Sequence, residues 1–291
     1  MYARLSPLVD GGVKRRRAAL PSRPVAYEVA STLMVRLSVN VNKVATLRNS
    51  RTRQPADRSA GSPSVLDAAR TIIDAGAPGI TVHPRPDARH ITTADVLDLA
   101  AMLDPLRDRV ELNIEGDPRA DLVALVERTR PHQFTLVPVK AGEITSSAGW
   151  AADTPRAPLQ VIIARAHGVG TRVSVFIDAD VRAVEWAASL DADRIELFTE
   201  PFAHAYASGD AAAIDRTYDA CAAAAQRAHA LGLGVNAGHD LDLDNLVRFR
   251  GLPHLDEVSI GHAIIARAVW HGLDATVRAY LEVLNPLRPP D

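Results

Sequence analysis

His83, Glu115 and His239 are the residues whose types and placement point first to chemistry. Each follows a short apolar run, at 79–82, 110–114 and 233–236 respectively. Two imidazoles and a carboxylate delivered from separate segments supply general acids and bases for a reaction with several proton transfers. Singly, each has a plainer reading: Glu115 as half of a buried ion pair, His239 as a histidine satisfied within its own turn. The three together are harder to explain that way.

A second group is suited to phosphate. Pro84 and Pro86 hold Arg85 in a tight loop that also carries His90. Arg51, Thr145 and the turn Gly261-His262 add to it. Arginine offers planar charged donors, threonine a hydroxyl, and a glycine turn opening a helix offers backbone N–H groups at the positive end of the dipole. Lysine is rare: Lys14, Lys43 and Lys140 are the lysines among 33 basic residues, and the latter two follow strand-like runs. A metal is not expected. A barrel metallohydrolase begins with His-x-His on its first strand, and here that place reads Asn40-Val41-Asn42; no paired histidines with a carboxylate occur at ligand spacing.

These residues need a scaffold that brings distant segments to one end. Short apolar runs at 36–41, 79–82, 110–114, 133–137, 172–176, 194–197, 233–236 and 258–260 alternate with helical stretches. Helices are expected at 63–75, 93–103, 119–128, about 157–166, 181–190, 210–231, 243–249, 263–270 and 273–284, with a polar loop from the first strand through Arg58. The loops after strands one and four are long enough for short helical turns. This pattern predicts a (β/α)8 TIM barrel with extra helices. An open doubly wound sheet would carry a glycine-rich turn after its first strand, and Asn40-Val41-Asn42-Lys43-Val44 is not one. In a barrel the strand exits carry the site. They present Asn40, Asn42 and Lys43; His83, Arg85 and His90; Glu115; Lys140 and Thr145; Asp178 and Asp180; Glu196 and Thr199; His239 and Asp240; Gly261 and His262.

A chain of 291 residues suits one such barrel, and a formal charge of -2 argues against nucleic acid as partner. No stretch is long and apolar enough for a membrane span. One cysteine, Cys221, forms no internal disulfide, which fits a reducing, cytoplasmic setting. Residues 1–33, with the basic run Lys14-Arg15-Arg16-Arg17, read as a disordered extension ahead of a catalytic domain at 34–291.

Val39-Asn40-Val41-Asn42-Lys43-Val44-Ala45-Thr46-Leu47-Arg48-Asn49-Ser50-Arg51 resembles the opening of the pyridoxine 5′-phosphate synthase family. So do 80–92, Asn113-Ile114-Glu115, Leu136-Val137-Pro138 with Lys140, Phe176-Ile177-Asp178-Ala179-Asp180, Asn236-Ala237-Gly238-His239 and Ile260-Gly261-His262-Ala263-Ile264-Ile265. The likeness runs in order over about 34–284. It implies a barrel without a cofactor that assembles into octamers. The implied reaction condenses 3-amino-2-oxopropyl phosphate with 1-deoxy-D-xylulose 5-phosphate. The pyridine ring forms with loss of phosphate and water. By position, the resemblance makes His83 and Glu115 proton acceptors, His239 a proton donor and Glu196 a transition-state stabiliser. Asn40, Arg51, Gly261 and His262 match the aminoketone phosphate site, and Arg85, His90 and Thr145 match contacts to the deoxyxylulose phosphate.

The chain departs from that pattern in places. Asn42-Lys43 replaces Asp-His in contact with deoxyxylulose phosphate, Val139 replaces Glu, and Asp240 replaces the Gly after the donor histidine. Phe198-Thr199-Glu200 replaces His-Thr-Gly, so that Asp240 and Glu200 bring negative charge towards the aminoketone phosphate. Two other readings follow: a paralogue using different substrates, with Lys43 as a Schiff-base lysine, and a non-catalytic barrel that binds a phosphate ester.

Overall fold

The computed structural model describes residues 34–51, 61–138 and 147–286; the expected extension at 1–33 lies outside them. Eight strands form: β1 (Arg36–Asn40), β2 (Gly79–Val82), β3 (Glu111–Gly116), β4 (Gln133–Leu136), β5 (Arg172–Ile177), β6 (Arg194–Leu197), β7 (Gly234–Gly238) and β8 (Leu255–Ile260). Neighbours pair in parallel, and β1 bonds to both β2 and β8, so the sheet closes into the expected barrel.

The strands alternate, apart from a register shift between β7 and β8 at Val235 and Asn236. Leu37 and Val39, Ile80 and Val82, Leu112 and Ile114, Ile195 and Leu197 are buried beneath the helices. Their intervening neighbours meet inside the barrel, where side chains at the period-two positions converge. Ser38 and Thr81 hydroxyls lie 2.6 Å apart. Thr135 donates to Asn113 Oδ1 at 3.0 Å, and Asn236 donates across the barrel to Gln133 Oε1 at 3.2 Å. Barrel interiors are ordinarily filled by branched apolar side chains; this one is mostly polar, with Phe176 on the inward phase of β5 an apolar exception. At its floor Arg36 Nη1 lies 2.5 Å from Glu111 Oε1, and Arg172 holds the other carboxylate oxygen.

Helices α1 (Asn42–Asn49), α2 (Val65–Asp74), α3 (Thr93–Leu103), α4 (Ala120–Thr129), α5 (Arg156–Gly168), α6 (Val181–Ala188), α7 (Glu200–Ser208), α8 (Ala211–Ala230), α9 (Leu243–Phe249), α10 (His262–His271) and α11 (Leu273–Leu284) surround the barrel. Local chemistry sets their ends. Thr92 and Asp95 form a capping box for α3, and Asp242 with Asn245 does so for α9. On α8 the small residues Ala224, Ala225 and Ala228 are buried with Cys221, letting a long helix lie close to the strands. Burial pushes the Cys221 thiol up to about 12, so it is a packing group and not a nucleophile.

Two helices correct the sequence reading. Residues 42–49, expected as polar loop, are α1, whose buried stripe is Val44, Ala45 and Arg48. Its apolar signal is broken by the arginine, whose partner, Asp95, lies on α3. Residues 200–208, to which no helix was assigned, are α7. Pro201 opens its first turn, and Gly209 closes it at φ 71°.

Candidate active site

The strand ends open into a cavity of about 650 Å³, a size suited to small substrates. His83, Glu115, Glu196 and His239 all line it. His83 follows β2 directly, and its backbone N–H donates to Asn42 Oδ1 at 2.9 Å. Burial, followed by the positive groups nearby, lowers its pKa to about 3, so the ring is neutral. Its Nε2 is buried without a hydrogen-bond partner among the described residues. Nδ1 stands 3.8 Å from Glu115 Oε2, too far for a hydrogen bond, and the neutral ring makes no ion pair.

Glu115 comes from the inward face of β3. Asn40 Nδ2 donates to Oε2 and the Ser259 hydroxyl to Oε1, both at 3.3 Å. Burial raises this carboxyl to about 7 against the pull of His239. Glu196, on β6, is pushed well above the carboxylate range by burial and by the charges of Glu115 and Glu257. Its Oε2 is also unpartnered among the described residues. For His239 burial acts to lower the pKa, but the hydrogen bond and charge of Asp240, with Glu115, raise it overall. Asp240 Oδ2 lies 2.7 Å from His239 Nδ1. One cavity thus holds a neutral imidazole, a carboxyl poised near neutrality and an imidazole biased towards its protonated form.

A basic wall adjoins these groups. Arg85, Arg89, His90 and Lys43 line the cavity, and His90, its pKa lowered to about 4 by burial and then by Arg85, keeps Nδ1 buried and unpaired among the described residues. On another side the N-terminus of α10 opens into the cavity at Gly261, His262 and Ala263, with no side-chain cap. Its first N–H groups are therefore available to an anion. A Cβ at Gly261 would lie 3.0 Å from both Asn40 Cβ and Asn40 O, so the close approach of α10 to β1 favours glycine.

The basic loop is latched to α1. Arg48, fully buried, makes a two-pronged pair with Asp95 at 2.6 and 2.9 Å. Asn49 Nδ2 donates to the carbonyls of Arg89 and His90 at 3.2 and 2.8 Å. One short helix therefore presents Asn42 and Lys43 to the cavity and fixes the loop carrying Arg85 and His90.

The sequence profile of the family described as Pyridoxal phosphate biosynthesis protein PdxJ matches residues 37–286. The chain belongs to this family. It is 48% identical over 252 residues to the pyridoxine 5′-phosphate synthase of Porphyromonas gingivalis, covering 86% of this chain and 99% of that one. To the enzyme of the same name from Xanthomonas oryzae pv. oryzae it is 49% identical over 261 residues, covering 87% and 98%. Among solved structures, 3-hexulose-6-phosphate synthase from Salmonella typhimurium superposes with a TM-score of 0.58 at 14% identity, covering 86% of this chain and 98% of that chain, a likeness of fold alone.

Measured against this PdxJ-family barrel, most of the expected site residues share the cavity: Asn40, Asn42, Lys43, His83, Arg85, His90, Glu115, Glu196, His239, Asp240, Gly261 and His262. Arg51 does not. It is exposed beyond α1 and is not among the residues lining the cavity. Lys140 and Thr145 lie outside the described residues, as does Val139. Glu200 is exposed at the start of α7 and does not line the cavity, so the negative charge expected from it does not reach the site. Lys43 is exposed at the cavity edge, which removes the desolvation that a Schiff-base lysine requires. Thr199 spends its hydroxyl on the Gly238 carbonyl, and Asp178 and Asp180 accept from backbone N–H groups.

Arg89, the second arginine of the basic loop, lines the cavity as well; Ser259 and Asp242 also line it and were not anticipated. Ser259 was legible in principle: it sits on the inward phase of Glu257-Val258-Ser259-Ile260. Asp242 was legible only as the cap ahead of 243–249, which says nothing of where its carboxylate faces.

Proposed function

We propose that this chain forms pyridoxine 5′-phosphate, condensing 3-amino-2-oxopropyl phosphate with 1-deoxy-D-xylulose 5-phosphate and releasing phosphate and water. The observation that carries the reading is the shared cavity: His83, Glu115 and His239, from β2, β3 and β7, face one space between a basic loop and an uncapped helix N-terminus. Ring closure needs protons taken from carbon and nitrogen and given to departing oxygens. Neutral His83 accepts a proton at physiological pH, Glu115 does so once ionised, and protonated His239 donates. Glu196, held towards its protonated form by burial, stabilises the transition state by hydrogen bonding.

Arg85 and His90 grip the ketose phosphate, together with Thr145. The N-terminus of α10 at Gly261-His262 holds the aminoketone phosphate, with Asn40 beside it. Lys43 contacts the ketose. Asn42 keeps the ordinary reaction within reach despite its departure from the family pattern: its amide oxygen accepts the His83 N–H, as a carboxylate there would.

The protein acts as a cytoplasmic homo-oligomer. Leu47 on α1 and Val269 and Trp270 on α10 are exposed apolar residues on two helices that pack together, and such a patch supports self-association. Incubating purified protein with both substrates and following pyridoxine 5′-phosphate by its absorbance tests the reaction. Light scattering tests the assembly, with Trp270→Lys expected to yield smaller species.

A further inference from the structure

His239 and Asp240 leave a turn that is pinned from both sides. The His239 N–H donates to the Ser259 carbonyl on β8 at 3.0 Å, and the residue sits at φ 50°. The Gly238 carbonyl accepts the N–H groups of Asp240 at 2.7 Å and Leu241 at 3.3 Å, and also the Thr199 hydroxyl. A Cβ at Gly238 would lie 2.0 Å from the Ser259 carbonyl oxygen, so the strand passes there only as glycine. The two side chains consequently enter the cavity in a set relation, with Asp240 Oδ2 2.7 Å from His239 Nδ1. A carboxylate accepts and does not donate. Nδ1 therefore carries the hydrogen, and a proton given to substrate leaves from Nε2.

We propose that Asp240 is a positioning residue for His239, orienting the ring through Nδ1 and stabilising its protonated form, and not the substrate contact expected at this position. The inference rests on the reading of His239 as proton donor. In the donating step the Nε2–H bond breaks and the proton passes to the departing substrate oxygen. The bonding pair stays on Nε2 as a lone pair, and the ring returns to neutral with Nδ1–H still on Asp240. No other reactant is needed.

Other titratable groups face the same space: Glu115 from β3, Glu196 from β6, Lys43 from α1, His83, Arg85, Arg89 and His90 after β2, Asp242 at the cap of α9 and His262 at the start of α10. Glu115 favours the protonated ring and Lys43 opposes it. All are unchanged in a variant at 240, so the difference isolates Asp240. Both members of the pair are partly exposed, which tempers the effect.

The test uses the full chain, with Asp240→Asn and, in case that variant folds poorly, Asp240→Ser. Histidine-ring nitrogen NMR reads the His239 titration and tautomer directly, beside pH profiles of kcat and of KM for each substrate. The expected result is a fall of about one unit in both the ring titration and the alkaline limb of kcat, with KM within about twofold. An unshifted ring titration would overturn the proposal, as would a large KM rise for one substrate with an unchanged pH profile. A ring titration that falls while the alkaline limb stays would support the pairing and remove His239 from the donor role, placing the failure on the underlying reading.

Discussion

Glu115 must be ionised to take a proton and His239 protonated to give one, and the cavity brings those two conditions close together in pH. Burial holds Glu115 near 7, so its acceptor form grows as pH rises through neutrality. His239 is pushed by burial towards its neutral form, but Asp240 and Glu115 raise it overall above its ordinary value, which favours the donor form. The expected kcat/KM profile is a narrow bell whose acid limb lies near 7 and belongs to the interacting pair. His83, at about 3, contributes no limb there. Glu115→Gln keeps the shape and removes the base, and is expected to lower kcat by about 10²- to 10⁴-fold with modest change in KM. Single-turnover measurements check it: an acid limb that survives in Glu115→Gln would assign that limb to another group.

Among the elements, α1 carries more of the site than its length implies. The Arg48–Asp95 pair is fully buried, and removing one partner leaves a buried charge uncompensated. Arg48→Met is therefore expected to cost about 3–5 kcal/mol, read from urea denaturation, whereas Arg48→Met with Asp95→Leu recovers part of it. Asn49→Leu leaves the Arg48–Asp95 ion pair in place, but removes the acceptor of Arg48 Nε at 3.0 Å and frees the carbonyls of Arg89 and His90. Its expected signature is a higher KM for the ketose phosphate with a smaller loss of stability than Arg48→Met. Equal loss from both variants would contradict the division of labour. This helix was hidden in the sequence because its buried stripe runs through an arginine whose partner is 47 residues away. By contrast α3, α9 and α11 were legible to the residue, since a cap or glycine precedes each apolar repeat. The strand exits of the site were legible for the same reason, being marked by an abrupt change from apolar to titratable. Arg51 was not, because a position beyond a helix carries no such mark.

At the scale of the whole barrel, the polar interior gives floor and mouth opposite responses to pH. The alternation Leu-Ser-Val-Asn in β1 and Ile-Thr-Val in β2 was visible, yet the runs read simply as apolar, because barrel strands usually fill their own centre with branched side chains. At the floor burial works to raise Glu111, but Arg172 and Arg36 bring it down to about 2. That stability is present above the ordinary carboxylate range and lost as pH falls towards 2. Near the mouth Glu196 is raised, so its contribution is present in acid and lost as pH rises. Glu196→Gln is accordingly expected to raise Tm near neutral pH, to leave it unchanged in acid, and to lower turnover. Thermal melts at both pH values check the sign. The most direct test of the shared cavity is simultaneous. Purified wild-type protein and the His83→Asn, Glu115→Gln and His239→Asn variants are given 3-amino-2-oxopropyl phosphate and 1-deoxy-D-xylulose 5-phosphate, and product is quantified by mass spectrometry. Pyridoxine 5′-phosphate from the wild type, with each variant at least about 10²-fold slower, is the expected result; no product from the wild type, or undiminished product from any of the three variants, would contradict it.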